Sequence, residues 1–157
     1  AAVPAPKSPH GRATLAVRPF EDRALHAEAD GLASLLTDEV TTTLAYWRTF
    51  LVVSRQAVAG AATDASVAEL GANLRADYLL HGSFRRAGGA LKFHIALTSV
   101  AENSEVWSDR LTCDTDDMVD VEEEVASQIS MLVAQQLQAA EARRMTREPE
   151  EDWTIWV

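Results

Sequence analysis

Four histidines, one cysteine and a run of acidic residues are the side chains of this chain best suited to chemistry. A zinc site draws its nitrogen and sulfur ligands from closely spaced pairs. His10 stands in a proline-rich start, His26 in a polar stretch, and His81 and His94 in separate apolar runs. None is spaced as a pair with Cys113, and no CxxC, HxH or HExxH occurs. The spacing predicts scattered histidines with no shared role. The acidic run Asp114 to Glu124 has the length and charge of a calcium loop, yet Val119 stands where the sharp turn needs glycine. The start of a helix accounts for the same charges, because carboxylates there face the positive end of the helix dipole.

Nucleophilic and phosphate-binding chemistry find no better footing. Cys113 has no histidine near it in sequence, and no serine sits in a GxSxG turn. Gly88 and Gly89 belong to neither GxGxxG nor GxxxxGK[ST], and they suit a hairpin turn instead. Cys113 reads as a small buried hydrophobe at a strand end. Four residues remain as candidate interaction or ligand contacts: Arg55, Arg85, Arg86 and Trp107. Arg85 and Arg86 offer charge to an anion or an acidic partner, the alternative being a solvated strand end. Trp107 offers a stacking face, the alternative being a core or interface aromatic. Arg55, Arg85 and Trp107 are the candidate surroundings of a small-molecule pocket. No catalytic, cofactor-binding or metal-ligating residue is assigned, and no cofactor is expected.

These residues need a scaffold, and its elements follow from the periodicity. Thr14 to Phe20 is a short apolar run ended by a proline, which suits a buried strand. Glu21 to Asp30 reads as a surface loop. From Asp30 to Arg48, Leu32, Leu35, Leu36, Val40, Leu44 and Trp47 recur at helical spacing, with Arg48 at the negative end of the dipole. Phe50 to Arg55 is β-branched and apolar, a strand expected to be buried on both faces. The stretch from Gln56 to Ala65 is small and irregular. Ser66 and Glu69 have the spacing of a capping box ahead of a helix reaching Arg75. Strands follow at Tyr78 to Phe84, Leu91 to Val100 and Glu105 to Cys113. Val121, Val125, Ile129, Leu132, Val133 and Leu137 stripe a last helix from Met118 to Arg144, capped by Asp116 or Asp117.

The order is β-α-β-α-β-β-β-α, which predicts an α/β fold: a mixed sheet of about five strands with helices packed on it. The helical connections favour parallel pairing of the first three strands, and the hairpins add antiparallel ones. At 157 residues, 47% hydrophobic and 24% charged, the chain has the size and composition of one globular domain. Its 24 acidic against 14 basic residues leave a net charge of −10, which repels phosphate backbones, so no direct nucleic-acid binding is expected. A single cysteine excludes an internal disulfide and leaves cytoplasm and periplasm both open. No apolar run is long enough to insert in a membrane. The start at Ala1, without a methionine, suggests an excised fragment or a processed protein. Residues 1–13 read as an Ala/Pro-rich linker, 14–140 as the α/β domain, and 141–157 as the start of a further helical region.

Taken in order, LAVRPFEDR, then DGLASLLTDEVTTTLAYWRTFLVVSR, then VAELGANLRADYLLHGSFRRAGGALKFHIALTSV and its continuation to Ile129, resemble a TolB amino-terminal-like domain. Similar domains occur in bacterial class III adenylate cyclases and winged-helix regulators, usually ahead of tetratricopeptide repeats. The likeness runs from Thr14 to Leu137. His81 departs from it, standing where relatives usually carry glutamate before the Gly-Ser pair. The resemblance implies the same α/β sandwich and no shared catalytic residue. It implies a non-catalytic regulatory module, acting by contacts with protein partners, with self-association as one form. Two alternatives stand beside it: a periplasmic cell-envelope accessory domain, and a small-molecule sensor.

Overall fold

The computed structural model describes residues 12–23, 31–61, 66–116 and 119–147. Within them the chain forms β1 (Thr14–Val17), β2 (Glu21–Asp22), α1 (Leu32–Tyr46), β3 (Leu51–Val52), α2 (Arg55–Ala59), α3 (Val67–Leu74), β4 (Tyr78–Ala87), β5 (Ala90–Ser99), β6 (Ser104–Asp114) and α4 (Val121–Arg147). The strands make one mixed sheet of order β3-β1-β4-β5-β6, with β2 also paired to β4. β1 runs parallel to β3 and β4, as the helical connections predict, while β4, β5 and β6 are antiparallel. The α/β fold class read from the sequence is the one observed.

Two long helices cover one face. Leu36, Val40 and Leu44 of α1, and Val125, Ile129, Val133 and Leu137 of α4, are buried there against Leu80, Phe84, Phe93, Ile95 and Leu97. All four apolar positions whose alternation marks β5, Leu91, Phe93, Ile95 and Leu97, point to this core. Among the described residues the other face carries the short helices α2 and α3. Their Val58 and Leu70 pack with Ala16, Ala76 and Leu79 in a smaller cluster over β1 and the start of β4. Each short helix starts at a serine, as capping chemistry requires: Ser54 Oγ accepts from Ala57 N, and Ser66 Oγ from Glu69 N, both at 3.2 Å. The outer face of β5 and β6 is left without a helix among the described residues.

Several expectations need correction. Glu21 and Asp22, read as loop, pair with Ser83 and Phe84 and bring the sheet to six strands among the described residues. The strand expected from Phe50 to Arg55 shrinks to Leu51–Val52 and is half-buried, because it pairs only with β1 at the sheet's edge and Ser54 starts a helix at Arg55. That helix, α2, occupies part of the stretch read as irregular. Arg48 lies beyond α1, with a left-handed φ of 59°, and Leu35 and Trp47 are exposed. Asp120, not Asp116, caps α4: its Oδ1 accepts from Glu123 N at 3.3 Å, so the helix begins three residues later than expected. Asp117, the other candidate cap, lies outside the described residues, as do 1–11 and 148–157. α4 continues unbroken past position 140 to Arg147.

Candidate functional site

Pro19 lacks an N–H and interrupts the ladder between the first strand and β4. Val17 pairs with Leu80 and Glu21 with Ser83, so three residues, Arg18, Pro19 and Phe20, stand opposite two, His81 and Gly82. The extra residue makes a bulge that re-aims side chains. It is held firmly: Arg18 N donates to Leu80 O and Arg23 N to Phe84 O, both at 2.8 Å. Phe20 N, freed by the bulge, donates instead to Thr37 Oγ1 of α1 at 2.9 Å. The Phe20 ring turns to the main core and lies against Gly82, where a Cβ would meet it at 2.9 Å. Arg18 and Arg23 are left at the rim of the opposite face.

There a cavity of about 770 Å³ opens between the bulge, the short helices and the sheet. Its polar lining comes from Arg18, Arg23, His81, Ser83 and His94, with Glu21 beside them. Val58 of α2 and Leu70 and Leu74 of α3 form an apolar wall. The cavity exists because α2 and α3 are five and eight residues long and stop short of the far half of the sheet. The two histidines, expected to be unrelated, therefore share one site. Their meeting was encoded in the hairpin: a two-residue turn at Gly88–Gly89 sets Ser83 opposite His94 and His81 opposite Ala96, with all four on one face.

Burial and the neighbouring Arg18 hold the His81 imidazole below its ordinary pKa of 6.5, and Glu105 opposes them. His81 is accordingly a neutral imidazole at neutral pH. Arg18 forms no side-chain ion pair with a described residue, while Arg23 lies 3.7 Å from Glu21 in an exposed pair. Ser83 faces His94 directly, the beginning of a nucleophilic pair, but no hydrogen bond joins their side chains. Across β6 His94 faces Arg110, a cation where a triad places its carboxylate. Among the described residues no three metal-ligating side chains gather.

The four contacts singled out from sequence do not meet. Arg55, the first residue of α2, donates from Nε to Asp38 Oδ1 of α1 at 2.6 Å. Arg85 is exposed on the outer face of β4, opposite Lys92. Arg86 points the other way, donating to Asp22 Oδ2 at 2.8 Å and lying 5.8 Å from the Phe84 ring. Trp107 is half-buried against the main core, opposite Leu97 and on the other side of the sheet from Arg85. A pocket shared by Arg55, Arg85 and Trp107 is therefore not formed, because successive strand residues point to opposite faces. Cys113 is buried, as expected, with its thiol pushed up by burial and facing Gln128 Oε1 at 3.7 Å.

Fold and site together define a two-layered α/β domain with one sealed face and one open, pocketed face. The chain belongs to the family of the second domain of HilA/YgeH-like transcriptional regulators, whose pattern matches residues 11–129. It is also 26% identical over 147 residues to a candidate adenylate cyclase, number 3, of Rhizobium meliloti (strain 1021). That alignment takes in 92% of this chain and 24% of the relative's length, so the chain spans about a quarter of that protein. Among solved structures, TolB from Acinetobacter baumannii superposes with a TM-score of 0.58 at 19% identity, over 85% of this chain and 30% of that one. Lipoprotein GNA1162 from Neisseria meningitidis does so with a TM-score of 0.57 at 13% identity, over 78% and 95%. At such identities the likeness is one of fold.

Proposed function

We propose that this chain is a non-catalytic regulatory module of a multidomain bacterial signalling protein. In this reading it is a TolB amino-terminal-like domain that links an output domain, a cyclase or a DNA-binding domain, to helical repeats on its carboxy-terminal side. It works through protein contacts, self-association included, that change how the output domains meet. The observation that carries the reading is the match of residues 11–129 to the second domain of transcriptional regulators. The relative named as a cyclase, of which the chain spans 24%, supports a place within a longer protein. The lack of a hydrogen bond between the Ser83 and His94 side chains, with the cation Arg110 opposite His94, supports binding over catalysis.

The contact surface in this reading is the open face, where Arg85, Lys92 and Arg110 are exposed. Deleting residues 14–137 from the parent protein should leave an output activity that no longer responds to its normal signal. Unchanged activity with unchanged regulation would remove the proposal. A place in the cell envelope has behind it only the fold likeness to TolB and GNA1162, at 19% and 13% identity. Fractionation of the intact parent separates that reading from the regulatory one.

A further inference from the structure

We propose that the cavity beneath the Arg18–Phe20 bulge binds a small organic anion, its carboxylate or phosphate held by Arg18 and Arg23 and its apolar body laid against Val58, Leu70 and Leu74. This site is independent of the regulatory reading and was not among the contacts expected from sequence.

Three observations carry it. The first is shape: about 770 Å³ lies within the roughly 300–1,000 Å³ that small-molecule sites occupy, and one wall is apolar while the rim is charged. The second is sign. The chain carries a net charge of −10, yet among the described lining residues the charged groups are Arg18 and Arg23 against Glu21, with His81 and His94 beside them. Beyond the cavity the open face sets Arg85 opposite Lys92 and also carries Arg110, with Glu105 as an acid near His81. Like charges set directly opposite one another in a sheet are unfavourable, so a surface that keeps them gains from an anion placed between. The same charges oppose a metal cation.

The third is availability. Arg18 is half-buried with no described ion-pair partner, and its charge already weighs on His81. Among the described residues the Arg23 side chain is engaged by Glu21, at 3.7 Å with both side chains well exposed, a contact weak enough to give way to a ligand. A guanidinium fork suits the two oxygens of a carboxylate or phosphate, and two forks at one rim suit a single head group.

The test uses the full chain and a set of isosteric probes: benzoate, neutral benzamide, phenyl phosphate and inorganic phosphate. Side-chain NMR of His81 and His94 and thermal melting report binding. Benzoate or phenyl phosphate should shift both histidines saturably and raise Tm, with benzamide doing neither at the same concentration. Whichever binds tighter assigns the head group as carboxylate or phosphate. Inorganic phosphate should bind about tenfold more weakly than phenyl phosphate, because it leaves the apolar wall empty. R18Q/R23Q should cut affinity by about tenfold or more, and R23Q alone, at an exposed side chain, provides the same comparison in a variant whose fold is not at risk. Equal binding of benzoate and benzamide would overturn the proposal. So would undiminished anion binding by R23Q and R18Q/R23Q, or no response to either aromatic anion at about 10 mM.

Discussion

Tyr78, the first residue of β4, donates its hydroxyl proton to Glu141 Oε2 near the end of α4 at 2.6 Å, across 63 positions of sequence. Glu141 also lies 3.6 Å from Arg144, so the last turns of the long helix are tied to the sheet by a small polar network at the edge of the core. Burial first, and then the bond to Glu141, raises the Tyr78 hydroxyl above its ordinary pKa of 10.0.

Tyr78→Phe should therefore destabilise the fold by about 1.5 kcal/mol, the usual worth of a hydrogen bond to a charged group. The pH dependence has a definite sign. The folded state keeps the phenol proton where the unfolded chain loses it, so the contribution is complete below pH 10.0 and declines as pH rises above it. Urea unfolding across the alkaline range should show a falling stability in the parent and a flatter profile in Y78F. A parallel decline in both would assign the slope to other groups.

His81 should act in the opposite direction. Its pKa is lowered by burial and by Arg18, so on acidification the unfolded chain takes up a proton before the folded one does. Stability from the neutral imidazole is present above pH 6.5 and is lost as pH falls below it. His81→Gln should flatten the stability profile between about pH 7.5 and pH 5.5. Denaturant midpoints at the two ends of that window measure the change.

Gly71 lets α3 dock. A Cβ there would overlap the branched side chain of Val100, in the turn after β5, so the helix approaches the sheet only because the side chain is absent. Gly71→Ala should cost about 1–3 kcal/mol by overpacking, despite the better helix propensity of alanine. Adding Val100→Ala should recover part of that cost, and the double-mutant cycle gives the coupling directly.

Thr37 couples the sealed face to the pocketed one. Its Oγ1 accepts from Phe20 N at 2.9 Å and donates to Ala33 O at 2.7 Å while wholly buried. Thr37→Val keeps the shape and strands the Phe20 N–H, at a cost of about 1–3 kcal/mol. Hydrogen exchange at the Phe20 amide should speed up beyond what the global loss of stability accounts for.

Much of this was legible before folding was considered. The alternation of Leu91, Phe93, Ile95 and Leu97 and the paired glycines before it specify a hairpin, because strand faces repeat every two residues and Gly88 adopts the positive φ the turn needs. The stripe from Val121 to Leu137 specifies a helix by the same kind of local argument. Short elements were harder. Ser54 reads equally well as the end of a strand or the cap of a helix, and only the pairing of Leu51 and Val52 with β1 shows that the strand has already stopped. Leu35 and Trp47 fit a helical stripe in sequence, yet among the described residues both remain exposed.

Sequence by itself determined the class of fold, the order of its long elements, the acidic surface and the lack of a recognisable catalytic motif, all of which depend on composition or on neighbours a few residues apart. Tertiary structure decided which face each helix covers, and with it the site. Arg18, His81 and His94 converge because a bulge at Pro19, the hairpin register and the shortness of α2 and α3 act together. The same pleat that unites the two histidines separates Arg85 from Arg86 and Trp107, a distinction that spacing along one strand contains but that gains meaning only when the sheet acquires two different sides.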